Sequence, residues 1–306
     1  MKQDLIKADG LLLLAAVIWG FAFVAQRLGM DHMGPFTFNG VRFLLGSVSI
    51  LPLLVSRHWG QKSVPYVKAA SPSSLETIRW GVVVGVFLYG GASLQQVGLV
   101  YTTAGKAGFI TGLYVVFVPL LGLFWGVRPD PGTWVGAALA AAGLYLLSVT
   151  ESFTISPGDL LVLTGALFWA CHVLLIGWLT RRHKALLISL VQFLTCAILS
   201  LITAIMTESI TLESIKKTSI PLFYGGFISV GIAYTLQVVA QRHAPPAHAA
   251  ILLSLESFFA AVGGWLILGE TLSFRAMTGC ALMMAAMLAA QLQLFFLPNL
   301  RMEKKR

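Results

Sequence analysis

Charge is what this chain has least of. Only 11% of its 306 residues are Asp, Glu, Lys or Arg, against about 25% in an ordinary soluble domain, and no water-soluble fold hides the 57% that are apolar. Cysteine is almost as scarce. Cys171, Cys196 and Cys280 all fall in apolar runs without metal-ligand spacing, which argues against both a disulfide framework and a zinc site. Catalytic signatures are missing too: there is no His-Glu-x-x-His, no Gly-x-Ser-x-Gly and no Gly-x-x-x-x-Gly-Lys-Ser/Thr phosphate loop. That excludes ATP-driven pumping by this chain alone and points away from an enzyme, and no cofactor is called for. No run carries the repeated arginines of a voltage sensor.

What is present is apolar length. A mean hydropathy of +0.83 makes lipid the solvent, and backbone polar groups in lipid must be satisfied within helices or closed barrels. Runs of about twenty residues, in place of ten-residue alternation, select helices. Breaks at charged and Pro/Gly-rich positions predict ten spans: residues 9–28, 35–55, 78–100, 106–126, 131–149, 157–179, 185–207, 220–241, 247–268 and 274–297. The first apolar run, Gly10 to Ala25, imitates a signal peptide, but its counterpart later in the chain predicts that it is retained. Residues 56–77, with Arg57, Lys62, Pro65, Lys68 and Pro72, read as a cytoplasmic loop, and the basic tail 301–306 as an anchor on anionic headgroups.

The net charge of +9 is explained by orientation and not by nucleic acid. With the N-terminus inside, 15 of the 21 Lys and Arg fall in cytoplasmic segments or span ends, five in outer ones, and Arg42 lies inside the second span. That sorting requires an even number of spans and puts both termini in the cytoplasm of a cell whose inner membrane holds the chain.

The chain also repeats itself. An offset of 150 residues sets Asp9 on Asp159, Leu11 on Leu161, Ala16 on Ala166 and Trp19 on Trp169. An offset of 142 sets Leu94-Gln95 on Leu236-Gln237, Lys106 on His248, Ala107 on Ala249 and Tyr114 on Glu256. Five spans per half make residues 1–150 and 151–306 antiparallel, the inverted repeat of a transporter whose substrate sits near the midplane between the halves.

These stretches carry a resemblance. Trp19-Gly20-Phe21, Gly34-Pro35-Phe36-Thr37-Phe38-Asn39 with Arg42-Phe43, Gly105-Lys106-Ala107-Gly108-Phe109-Ile110-Thr111, Leu255-Glu256-Ser257 and Gly269-Glu270-Thr271-Leu272-Ser273 resemble the EamA-like branch of the drug/metabolite transporter superfamily, nearly end to end. The resemblance implies a carrier of small metabolites, often amino acids and often exported. It departs at Gly126-Val127-Arg128-Pro129, which lacks the Gly-Glu-x-Leu-Ser turn of the second half. It departs again at Ser257, where the family places a proline, so the expected cause of a kink is absent.

Nine residues are candidates for substrate binding. Glu256, about ten residues into its span, is a midplane carboxylate that either meets a substrate amine or proton, or braces two helices as a neutral acid. His172 shares a helix face with Trp169 and is either a relay or a hydrogen-bonded core donor. Trp19 and Trp169 lie too deep for the interfacial aromatic belt and are expected to face a cavity, as is Tyr114. Asn39 and Arg42, three apart, share a face; Arg42 either forks onto a substrate carboxylate or binds helix-end carbonyls. Gln95 and Gln237 face inward, for substrate or for interhelical bonds, while Lys106 and His248 are expected to snorkel near the surface. Glycines at spacing four, such as Gly81/Gly85 and Gly108/Gly112, permit close helix contact within a monomer or across a homodimer.

The expectation is a secondary carrier for an amino acid or similar amphipathic metabolite, working by alternating access, with protons as the candidate coupling ion. A channel or non-transporting membrane partner, and more remotely a lipid-modifying intramembrane enzyme using Glu256 and His172, are the competing classes.

Overall fold

The structure, a computed structural model, describes residues 2–56, 73–126, 131–148 and 156–269, together with 129, 271, 273–275, 277–279 and 281–286. Every regular element among them is helical. Most of the basic loop after the second span, Arg128, Glu270, Leu272, Cys280, the second half of the last expected helix and the basic tail lie outside the described residues.

Helices α1 (Lys2–Gly29), α2 (Pro35–Val55) and α3 (Ser74–Tyr101) are followed by a pair, α4 (Ala104–Gly112) and α5 (Tyr114–Phe124), and then by α6 (Pro131–Ser148). The second half opens with α7 (Pro157–Leu179) and α8 (Ala185–Thr207), then the short α9 (Leu212–Lys217) and α10 (Ser219–Phe223). A π-helix over Tyr224–Tyr234 runs into α11 (Thr235–Ala240), and α12 (Pro246–Leu253) and α13 (Glu256–Leu268) form a second broken pair. Taking the pairs as continuous spans, eight helices are long and apolar enough to cross a membrane. They coincide with eight of the ten spans expected from the sequence; α6 lies where the fifth was expected, and the tenth is described only to residue 286.

Local chemistry sets the boundaries. Ser73 accepts the Glu76 N–H (3.1 Å), starting α3 four residues before the apolar run begins. Thr103 does the same for Lys106 (3.2 Å) at α4, and Ser156 and Asp159 form a reciprocal capping box at α7. Helix α2 follows Gly34, which has no side chain to cap with, and borrows one: the Glu208 carboxylate, just past α8, accepts from the Phe36 and Thr37 N–H groups (2.8 Å each) and from the Thr37 hydroxyl (2.6 Å). This is a carboxylate on the positive end of a helix dipole, and it ties two spans together at one end.

The helices pack inside out relative to a soluble bundle. Leu44, Val48, Leu51, Val82, Val86, Ile198 and Ile202 are exposed on the outside, while Asn39, Arg42, Gln95, Gln96, His172, Gln192 and Glu256 are buried. With lipid outside, that is the arrangement of least cost. Helix α3 packs along both α7 and α8, α2 along α8 and the π-helix, and α1 along α13 and the π-helix. Gly81 and Gly85 lie where α3 meets α8: a Cβ there would come within 2.7 Å of Val191 and 2.5 Å of Thr195. This glycine pair therefore serves packing within the chain.

Candidate functional site

Two spans are broken at mid-depth. The α4/α5 pair bends at Leu113, where i→i+3 bonds from Leu113 N–H to Ile110 C=O (3.2 Å) and from Val116 N–H to Leu113 C=O (2.9 Å) replace the α-helical pattern. The α12/α13 pair bends at Ser254–Leu255, with Leu255 N–H to Leu252 C=O (3.3 Å) and Ser257 N–H to Ser254 C=O (3.1 Å). A kink thus forms beside Glu256 without the proline. Ser257 supports it otherwise, its hydroxyl donating to the Gly108 carbonyl (2.6 Å) and joining the two broken spans. The first residues after the breaks are Tyr114 and Glu256, and they lie side by side.

Around them is a small cavity. Eight of the nine residues singled out from the sequence line it: Trp19, Arg42, Gln95, Tyr114, Trp169, His172, Gln237 and Glu256. Asn39 does not. It sits behind the wall, accepting from Arg42 Nε (2.9 Å) and donating to the Ala92 carbonyl (3.0 Å), so it positions the guanidinium from the rear. Arg42 does not cap a helix end: it is 2% exposed, lies over the Phe43 ring (5.0 Å) and has no carboxylate partner among the described residues.

A glutamine relay joins four helices on the opposite wall. Gln95 of α3 accepts from the Trp169 indole of α7 (2.9 Å) and from Thr111 of α4 (3.3 Å), and donates to Gln26 of α1 (3.2 Å). Trp19 donates to the Ser229 carbonyl in the π-helix (3.3 Å). Both tryptophans thus line the cavity with their N–H groups on protein acceptors. His172 Nε2 donates to Gln192 Oε1 (2.8 Å) and packs edge-on to Trp169 (6.0 Å). The Gln237 Oε1 has no hydrogen-bond partner among the described residues.

Sequence reasoning missed Tyr234, at the centre of the aromatic wall. Its ring stands 4.6 Å from Trp19, 6.2 Å from Trp169, 6.1 Å from His172 and 6.0 Å from Phe43. The only sequence signal was its position three residues before Gln237, on the same helix face. Lys106 and His248 do not simply snorkel. Lys106 pairs with Asp159 (2.6 Å), and the buried His248 pairs with Asp9 (2.7 Å). Among the described residues no three metal-capable side chains converge.

An all-helical chain with apolar spans, two of them broken beside buried ionisable groups that line one internal cavity, is a multi-pass integral membrane protein of the transport class. The chain belongs to the EamA-like transporter family, which matches it twice, over residues 6–149 and 156–290. It is 32% identical to an uncharacterized transporter of Archaeoglobus fulgidus, over 94% of this chain and 86% of that protein. It is 24% identical to the uncharacterized inner membrane transporter YedA of Escherichia coli, over 89% and 86% of the two chains. A probable amino-acid metabolite efflux pump of Salmonella typhimurium is 26% identical, over 92% and 94%. A crystal structure at 18% identity shares the fold, with a TM-score of 0.74 over 93% of this chain and 97% of that one.

Proposed function

We propose that this transporter is a secondary carrier that exports an amino acid or a similar amphipathic metabolite by alternating access, its ten spans arranged as two inverted halves, residues 1–150 and 151–306. The observation that carries the substrate class is a pair of opposite ionisable groups facing one cavity: the buried Arg42 guanidinium, which no carboxylate among the described residues neutralises, and the Glu256 carboxyl. An isolated buried cation is expensive, and a substrate carboxylate forked on Arg42 would relieve that cost. Glu256 suits the ammonium of the same molecule or a coupled proton, and the ring faces of Trp19, Trp169 and Tyr234 suit its apolar part. The inverted halves are supported by the breaks before Tyr114 and Glu256, which recur at the 142-residue offset. Both termini are assigned to the cytoplasm from the Lys and Arg distribution, and an inner membrane accords with the YedA name.

The test is counterflow of an amino-acid and small-metabolite panel in proteoliposomes. Wild type should show saturable, trans-stimulated flux, lost in Arg42→Gln and reduced at least tenfold in Glu256→Gln. Flux that fails to saturate would indicate a channel, and vesicles indistinguishable from empty ones would end the carrier reading.

A further inference from the structure

Beyond the cavity, an acid–base pair bridges two helices toward each end of the bundle. At one end the Asp9 carboxylate of α1 meets His248 Nε2 of α12 at 2.7 Å; at the other Lys106 Nζ of α4 meets the Asp159 carboxylate of α7 at 2.6 Å. These four residues are two equivalent pairs under the internal repeat, since Asp9 corresponds to Asp159 and Lys106 to His248. In each pair one partner comes from the first half and one from the second. The pairs therefore cross the interface between the halves in opposite senses.

Their separation follows from helix direction. In α1, Asp9 lies 17 residues before Gln26, about 25 Å along the axis, with Trp19 and Phe23 on the cavity between them. Helix α4 runs the other way: Gly108 abuts Phe23 and Ala260, whereas Tyr114, six residues on, lies beside Glu256. Lys106 is thus at the Gln26 end of α1, opposite Asp9.

We propose that Asp9–His248 and Lys106–Asp159 are the two gates of the transport cycle, broken one at a time and never together. This rests on the alternating-access reading above. Both carboxylates are buried, Asp9 to 8% and Asp159 to 5% exposure, so each requires either its partner or water. Parting the halves at one end pulls that pair apart and admits water, which rehydrates both groups. The opposite pair, still dry, holds the other end shut. Asp159 is further fixed by Thr102 Oγ1 (3.0 Å) and the Ser156 N–H (2.7 Å).

Cysteine accessibility tests this without a known substrate. In a background carrying Cys171→Ala, Cys196→Ala and Cys280→Ala, the cavity variant Gln237→Cys is labelled with a membrane-impermeant maleimide applied to right-side-out or inside-out vesicles. Adding Asp9→Asn should speed labelling severalfold from one face only, and Lys106→Met severalfold from the opposite face only. The charge-retaining Asp9→Glu and Lys106→Arg should stay nearer the parent rates. Should Lys106→Met fail to fold, bridging Lys106→Cys to Asp159→Cys with a bifunctional thiol reagent must block labelling from that same face alone. Both variants acting from one face, or neither changing its rate, overturns the gates. Persisting sidedness in a protein with no counterflow would instead leave the gates standing and remove the carrier.

Discussion

Single residues decide this site because the cavity is small and its walls are held by few bonds. Gln95 is the clearest case, since one amide serves as acceptor for Trp169 and Thr111 and as donor to Gln26. Gln95→Leu leaves the Trp169 indole N–H buried without an acceptor, which costs about 1–3 kcal/mol. Thr111→Val loses only the 3.3 Å bond and should cost about 0.5–1.5 kcal/mol. Thermal unfolding in detergent should rank the two in that order; the reverse ranking would show that the relay does not hold the wall. At this scale the sequence was informative where chemistry conflicts with lipid. A carboxylate, a guanidinium, a histidine and two glutamines in apolar spans have to face inward, and all of them do. Tyr234 was not legible, because a tyrosine in an apolar run is compatible with core, cavity and lipid boundary alike.

Elements show how a span can be long enough to cross and still deliver chemistry at its middle. The breaks at Leu113 and at Ser254–Leu255 need no proline. Beside the second, the Ser257 hydroxyl reaches across to the Gly108 carbonyl of the other broken span, a contact that exists only once both are packed. The missing proline after Glu256 left a kink there without its expected cause: proline is one cause of a kink, and a tertiary hydrogen bond with relaxed i→i+3 pairing is another. The cap on α2 was equally hidden, because its carboxylate comes from Glu208, 171 residues from Thr37. Removing it by Glu208→Ala leaves two N–H groups of α2 unsatisfied and should destabilise the protein by about 1–2 kcal/mol. Glu208→Gln should recover part of that loss. Thermal midpoints of the two variants check this, and equal midpoints for Glu208→Ala and wild type would show that water caps α2 as well as the carboxylate does.

For the molecule as a whole, the proposal turns on sidedness. The ten spans proposed would place both termini on the cytoplasmic face of the membrane, so epitope tags at the N- and C-terminus should be reached together by antibody or protease in inside-out vesicles and be protected together in intact cells. Tags reached from opposite faces would indicate an odd number of crossings and dismantle the inverted halves. The proposed inversion would also account for the acid–base pairs coming as a matched set. Duplicating one half and inverting it converts a single contact across the interface into two, one at each end of the cavity.

Composition and apolar run length alone determined that this chain lives in lipid as a set of helices, and the ten stretches they marked include the eight whose helices are long and apolar enough to cross, because hydropathy and span length are sums over local residues and need no partner. The internal offsets also aligned Asp9 with Asp159 and Lys106 with His248 before any contact was known. That the alignment is crossed, each acid meeting the base of the other half, was decided only by tertiary packing. The breaks, the borrowed cap and the place of Tyr234 were decided in the same way, since each depends on a group far away in the chain.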